Sequence, residues 1–287
     1  MSFKKAIFSI IPYSFIRFSG RLIAYLAYLF MGKRKRIAKA NLDLVFQKRL
    51  TEKEKDYILK ENLSKICIGF FWLIKCLYST DICKKDIEII GEENLEEAFA
   101  KKRGVVAVSA HIGNFPLMTT LLAKRGYPVA VIAKDPHNPI LAKLIQILKK
   151  KSGINFIDAT DKHAPYLALR WLRQGGVLYL QLDQNAPKHK AMIDFFGYPV
   201  PTYKSPVVFS KKTGAPILPM FITSKSDHQT IHIEEPFRLE ITGKKEKDIY
   251  NNLTSLMKIL ESYILKYPTQ WWWWHRRFKE HIDYSKL

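Results

Sequence analysis

A histidine at position 111 is followed by Gly113 and Asn114. It closes an apolar run, Gly104 to Val108, and precedes a second one, Leu117 to Leu122. The first run reads as a strand and the second as a helix. The imidazole therefore falls at the carboxyl end of a strand, where open α/β sheets place their ligands. Histidine is the commonest general base at neutral pH and contributes roughly 10²–10⁴-fold in rate when positioned. Against this stands the ordinary alternative of a buried, hydrogen-bonded core histidine. Asn114 reads either as a helix N-cap or as a donor to developing negative charge. A carboxylate five residues after His111 would orient the ring, but that position holds Pro116.

Two further strand ends carry polar groups. Asp183-Gln184-Asn185 follows the run Val177 to Leu182, and Lys134-Asp135 follows Val129 to Ala133. In a parallel sheet these fall on the same edge as His111, which points to one cleft, although each could be a simple strand-to-loop cap. Asp183 and Asp135 are the carboxylates available there to orient His111, and a backbone carbonyl could do the same. Lys134 suits an anionic headgroup or plain solvation. The aromatic segment Asp194 to Pro199 reads as a loop that walls an apolar channel or covers the core. Near the end, Trp271 to Trp274 precede His275, Arg276 and Arg277. Tryptophans beside arginines suit a membrane interface, with guanidinium groups on phosphates, or stacking on nucleic-acid bases. Core packing is expected for two of the four rings.

These positions need a scaffold, and the hydrophobic pattern supplies one. Short strands alternate with helices from Asp86 to Ile233, and Asp248 to Leu265 forms a final amphipathic helix. The fold class is α/β, a single domain with a largely parallel central sheet flanked by helices. Thr51 followed by Glu52 and Glu54 marks the start of a helix reaching Leu77. Ahead of it, Ala6 to Gly32 is apolar but interrupted by Pro12, Arg17, Gly20 and Arg21. Its clean run, Leu22 to Met31, is about half of the roughly 20 residues a bilayer span needs. Followed by Lys33-Arg34-Lys35-Arg36, it reads as a membrane-associating helical segment over 1–36, with the α/β domain over 37–287. A core helix with a solvated basic end is the alternative.

The chain of 287 residues carries 47 Lys+Arg against 26 Asp+Glu, a net charge of +21. Such a surplus fits an anionic partner: a phospholipid surface, an acidic carrier protein or nucleic acid. A nucleic-acid module rests on charge alone and is not expected. The three cysteines lack metal-ligand spacing and suggest neither a metal site nor a disulfide framework, which fits a reducing compartment.

Several of these segments occur together, in order, in one family. Lys39-Ala40-Asn41-Leu42, Ser109 to Asn114, Asn138-Pro139, Leu182-Asp183-Gln184, Phe195-Phe196-Gly197, Lys212 to Pro216 and Gln270 to Phe278 resemble the lipid A biosynthesis acyltransferases. These are the late lauroyl/myristoyl type within the lysophospholipid acyltransferase superfamily. The resemblance implies an apolar tunnel beside a membrane-docked α/β sheet, at the cytoplasmic face of the inner membrane. It implies transfer of an acyl chain from acyl carrier protein or acyl-CoA, with no further cofactor, to a hydroxyl of a glycolipid or phospholipid acceptor. His111, Asn114 and Asp183 then become the catalytic candidates. Lys134, Asn138, Gln184, Arg276 and Arg277 become the substrate-binding ones. The chain departs from the family pattern at Pro116, where the family has a carboxylate, at Asn185, where a second acid is usual, and at Lys134, where an arginine is usual. Pro116 leaves a second expectation open, a catalytically silent relative that binds acyl lipids or carrier proteins.

Overall fold

The computed structural model describes residues 11–78, 87–135, 139–225 and 228–287. Three helices come first: α1 (Tyr13–Phe30), α2 (Gly32–Val45) and α3 (Glu52–Tyr78). The α/β part follows as β1 (Ile87–Ile90), α4 (Glu92–Ala100), β2 (Val105–Ser109), α5 (Phe115–Lys124), β3 (Val129–Ala133), α6 (Pro139–Ser152), β4 (Asn155–Asp158), α7 (Ala164–Arg173) and β5 (Val177–Gln181). It ends with β6 (Lys190–Phe195), β7 (Tyr198–Tyr203), α8 (Ser205–Thr213), β8 (Ile217–Lys225), β9 (His228–Ile233) and α9 (Lys245–Lys266).

Seven strands form one sheet in the order β1-β9-β8-β2-β5-β3-β4. All neighbours are parallel except β8 and β9, so the expected largely parallel sheet is present. Its strands alternate between two cores. Val105, Ala107, Val177, Tyr179, Leu218 and Met220 pack on one face with the end of α3, α4 and α5. Val106, Val108, Leu178, Leu180, Ile217 and Phe221 pack on the other with α7, α8 and α9. Period-2 alternation with both faces apolar is what a buried parallel sheet requires.

The aromatic segment Asp194 to Pro199 is a hairpin rather than a loop. β6 and β7 pair antiparallel from Lys190↔Tyr203 to Phe195↔Tyr198. Phe196 (φ 57°) and Gly197 (φ 84°) make the two-residue turn, the left-handed pair that suits tight hairpins. Phe196 N–H donates to Glu261 Oε1 at 2.7 Å, fixing the hairpin on α9.

The N-terminal helices are packed onto the domain. Ile16, Gly20, Ala24 and Tyr28 form the buried stripe of α1, at the i, i+4 spacing of one helix face. A Cβ at Gly20 would lie 2.6 Å from Ile68 Cγ1 and 3.1 Å from Ile68 N, so a larger residue there would push α1 away from α3. The expected division after residue 36 falls inside α2. Among the described residues no helix is long and apolar enough to cross a membrane. The start of α3 carries the expected cap as a full capping box. Glu54 N–H donates to Thr51 Oγ1 at 3.3 Å, and Thr51 N–H to Glu54 Oε2 at 2.7 Å. One expectation is corrected: Cys67 is a free thiol, but Cys76 is disulfide-bonded, so the cysteines are not uniformly reduced. Cys83 lies outside the described residues.

Candidate active site

The register of β2 and β5 builds the site. Val105 pairs with Val177 and Ser109 with Gln181, a constant offset along the whole ladder. Two residues beyond each strand end, the same offset sets His111 opposite Asp183. His111 Nδ1 lies 2.8 Å from Asp183 Oδ1, and the His111 backbone N–H donates to Asp183 Oδ2 at 2.9 Å. Trp271 Nε1–H adds a second donor to Oδ2, at 2.8 Å. With both oxygens occupied the carboxylate cannot rotate, and the imidazole is held with Nδ1–H toward it. The Asp183 side chain is 2 % exposed and that of His111 19 %, so a substrate can reach the ring but not the acid. Burial alone would raise the Asp183 pKa. The facing His111 and the Trp271 N–H outweigh it and hold the group at about 2, ionised at neutral pH.

Gln184 Nε2 lies 3.2 Å from His111 Nε2, so the amide donates to the lone pair of the ring's outer nitrogen. Phe115 meets the ring edge-on at 5.1 Å. Beneath it, residues 111–113 pair antiparallel with the tryptophan run. Gly113 N–H donates to Gln270 O, Trp272 N–H donates to His111 O, both at 2.9 Å, and Ile112 bridges Trp271. Gly113 has φ 57°, and a Cβ there would lie 2.0 Å from Ile222 O. Only glycine fits this turn.

Residues 3–280 match the family described as bacterial lipid A biosynthesis acyltransferase. The chain belongs to that family. It is 26% identical over 280 residues to the lipid A biosynthesis palmitoleoyltransferase of Escherichia coli K12, covering 94% of this chain and 86% of the relative. It is 23% identical over 285 residues to the lipid A biosynthesis lauroyltransferase of the same organism, covering 94% and 87%. A lipid A biosynthesis acyltransferase of Haemophilus influenzae is 20% identical over 261 residues, covering 89% and 78%. The protein is thus an acyltransferase.

The remaining candidates of this acyltransferase fall in different places. Pro116 is in the first turn of α5, where its missing N–H is no loss. The carboxylate it does not supply comes from Asp183. Asp135, the other candidate, pairs with Lys149 at 2.5 Å. Asn114 stands at the N-cap of α5 without capping it, and its Nδ2 donates to Gly69 O of α3 at 2.8 Å. This bond ties α3 to the turn. Lys134 is exposed at the end of β3, and Asn138 lies outside the described residues. Arg276 is exposed and lines a depression of about 560 Å³ with Lys279 and Glu280, apart from the His111 pair.

Arg277 is corrected as a substrate contact. It is fully buried and donates to Asn185 Oδ1, Pro201 O, Leu182 O and Thr202 Oγ1 at 2.9–3.3 Å. It binds the segment after β5 to the hairpin. Burial lowers its pKa to about 10, against the attraction of Asp183, so it stays charged. Three tryptophans are core residues rather than two, since Trp271, Trp273 and Trp274 are buried and Trp272 is partly exposed. Burial holds His275 at about 4, neutral at physiological pH.

Proposed function

We propose that this acyltransferase moves a fatty acyl chain from an acyl thioester, carried by acyl carrier protein or coenzyme A, to a hydroxyl of a lipid A precursor. The observation that carries the reading is the His111–Asp183 pair, oriented from both sides and open to substrate only at Nε2. His111 Nε2 takes the proton of the acceptor hydroxyl, and the oxygen attacks the thioester carbonyl. Asp183 stabilises the imidazolium that forms. As the tetrahedral intermediate collapses, the C–S bond breaks and the proton passes from Nε2 to the leaving thiolate. Gln184 Nε2, displaced from the ring by the acceptor, is placed to donate to the carbonyl oxygen as it gains charge.

The reaction belongs at the cytoplasmic face of the inner membrane. In support, α1 presents Phe15, Phe18, Leu22, Tyr25, Leu26, Leu29 and Phe30 to the outside. Lys33, Arg34 and Arg36 are exposed in the first turns of α2. An apolar face beside a basic cluster suits an anionic bilayer surface. The alternative of a silent relative rests on Pro116; the carboxylate of Asp183 at His111 Nδ1 supports the active reading instead.

Thioester turnover with long-chain acyl carrier protein and a lipid A precursor tests the reading. His111→Ala should abolish transfer, and Asp183→Asn should lower kcat by roughly 10⁴-fold, the cost of a lost orienting carboxylate in a serine-protease triad. Full activity in either correctly folded variant rejects the mechanism.

A further inference from the structure

The tryptophan run meets the catalytic turn as one side of an antiparallel pairing, and that pairing sorts its rings. Ile112 bridges Trp271, Gly113 N–H donates to Gln270 O and Trp272 N–H donates to His111 O. The opposite partners are therefore Ile112 with Trp271 and His111 with Trp272. Directly opposite residues of an antiparallel pair put their side chains on the same face, with Cβ atoms about 5 Å apart. Burial follows the same division. Ile112 and Trp271 are core residues, whereas His111 is part-exposed and Trp272 is 37 % exposed. The base and one indole share the outer face of the turn.

Of the four rings in the run, the fold leaves this one unused. Trp271 donates its indole N–H to Asp183 Oδ2, Trp273 to Pro268 O and Trp274 to Asn62 Oδ1. The Trp272 indole makes neither a hydrogen bond nor a ring contact with the described residues. Phe115, rather than Trp272, packs on the imidazole, so the indole flanks the base without covering it. A single exposed apolar ring is ordinary elsewhere on a protein surface. Opposite the catalytic histidine, it faces whatever that histidine acts on.

We propose that Trp272 is a stacking platform for a sugar ring of the acceptor, and so a specificity-determining residue of the transfer. This rests on the acyl-transfer reading for the identity of the acceptor. One face of a pyranose carries C–H groups, whose weak positive charge suits the negative π face of an indole, while its hydroxyls point outward from the ring edge. A ring laid on Trp272 turns that edge toward His111, where a hydroxyl meets Nε2. The indole N–H is free to donate to a neighbouring hydroxyl. The acyl chain of the donor suits this place less well. A chain gains most where apolar walls remove it from water on every side, and a part-exposed indole supplies one wall.

The test is equilibrium binding of the full chain to neutral-detergent micelles carrying either a disaccharide glycolipid or a diacylglycerol with the same acyl chains. Wild type should prefer the glycolipid by at least about tenfold, the scale of one ring stacked on an aromatic side chain. Trp272→Ala should abolish that preference, and Trp272→Phe should retain most of it. Trp272→Leu, apolar but without a π face, should behave as alanine does. In turnover with saturating acyl carrier protein, Trp272→Ala should raise the KM for the glycolipid far more than it lowers kcat. The bond from residue 272 to His111 O is made by the backbone and survives the substitution. An equal loss on both lipids places Trp272 against the bilayer, and a leucine variant equal to wild type makes it an apolar wall. Either result overturns the proposal, as does a wild type without preference or a preference that survives Trp272→Ala. Because the first readout is binding, it does not depend on turnover: a protein silent toward thioesters that still shows the Trp272-dependent preference fails the acyl-transfer reading alone.

Discussion

A histidine has two ring nitrogens, and in this site both are accounted for. Nδ1 faces Asp183, and Nε2 faces Gln184, on the side where the proposed acceptor would enter. A carboxylate introduced five residues after His111 therefore has no productive nitrogen to bind. Pro116→Glu should leave kcat within about threefold of wild type, or lower it by adding a like charge near Asp183. A gain above tenfold in the thioester assay would show that Asp183 does not do the orienting. His111, Asp183 and Gln184 were legible in the sequence because each follows an apolar run that could only be a buried strand. The choice of Asp183 over Asp135 was not, since it depends on which strand lies next to β2. Arg277 was misread for a related reason. An arginine beside tryptophans suits a phosphate or a buried ladder of carbonyls equally well, and only the meeting with Asn185, Pro201, Leu182 and Thr202 separates the two.

Buried asparagines on two helices hold the tryptophan run by its backbone. Asn62 of α3 donates Nδ2 to Thr269 O at 3.2 Å and to Trp271 O at 2.8 Å, and accepts from Trp274 Nε1 at 2.7 Å. Asn41 of α2 donates to Trp273 O and His275 O at 2.8 and 2.7 Å. Tyr284 donates to its Oδ1. Asn62→Ala would leave Thr269 O and the Trp274 indole N–H without partners and would strip Trp271 O of one of its two donors, Trp273 N–H remaining. It should destabilise the protein by about 3 kcal/mol, given roughly 1–3 kcal/mol for each buried group left unpaired. A urea unfolding midpoint unchanged from wild type would contradict this. Most elements could be read from periodicity, because a strand or helix buried on a fixed face repeats its apolar residues at a fixed interval. The β6–β7 hairpin could not. Its Phe-Phe-Gly-Tyr-Pro core breaks the alternation, and Pro199 and Pro201 argue against a strand until the pairing is seen. Asn62 was also silent, and Asn41 stood out only within Lys39-Ala40-Asn41-Leu42, since a polar residue on an amphipathic helix ordinarily faces water.

For the whole molecule, the proposed membrane contact rests on the exposed apolar face of α1 and the exposed basic residues that follow it in α2. Phe18→Asp combined with Leu26→Asp should weaken binding to anionic vesicles at least tenfold. Both side chains are exposed, so circular dichroism and Tm should stay close to wild type. Residual binding should fall as salt rises, because the basic residues of α2 act through a screened field. Undiminished vesicle binding in the double variant would place the contact elsewhere. The sequence showed an interrupted apolar segment, with Gly20 and two arginines as apparent defects. In three dimensions Gly20 is the contact with α3, while Arg17 and Arg21 are on the exposed side.

The antiparallel pairing of residues 111–113 with 270–272, together with the Trp271 bond to Asp183, has a consequence for the order of synthesis. During translation β2 and β5 can pair long before Gln270 to Phe278 exist. Until that stretch is made, Asp183 lacks its indole donor, and the carbonyl of His111 and the N–H of Gly113 lack their partners. The nascent chain thus has its sheet before the His111–Asp183 pair has all of its supporting bonds. A chain ending short of residue 270 should therefore carry the β2–β5 ladder with Asp183 lacking its indole donor, and without the core rings of Trp271, Trp273 and Trp274.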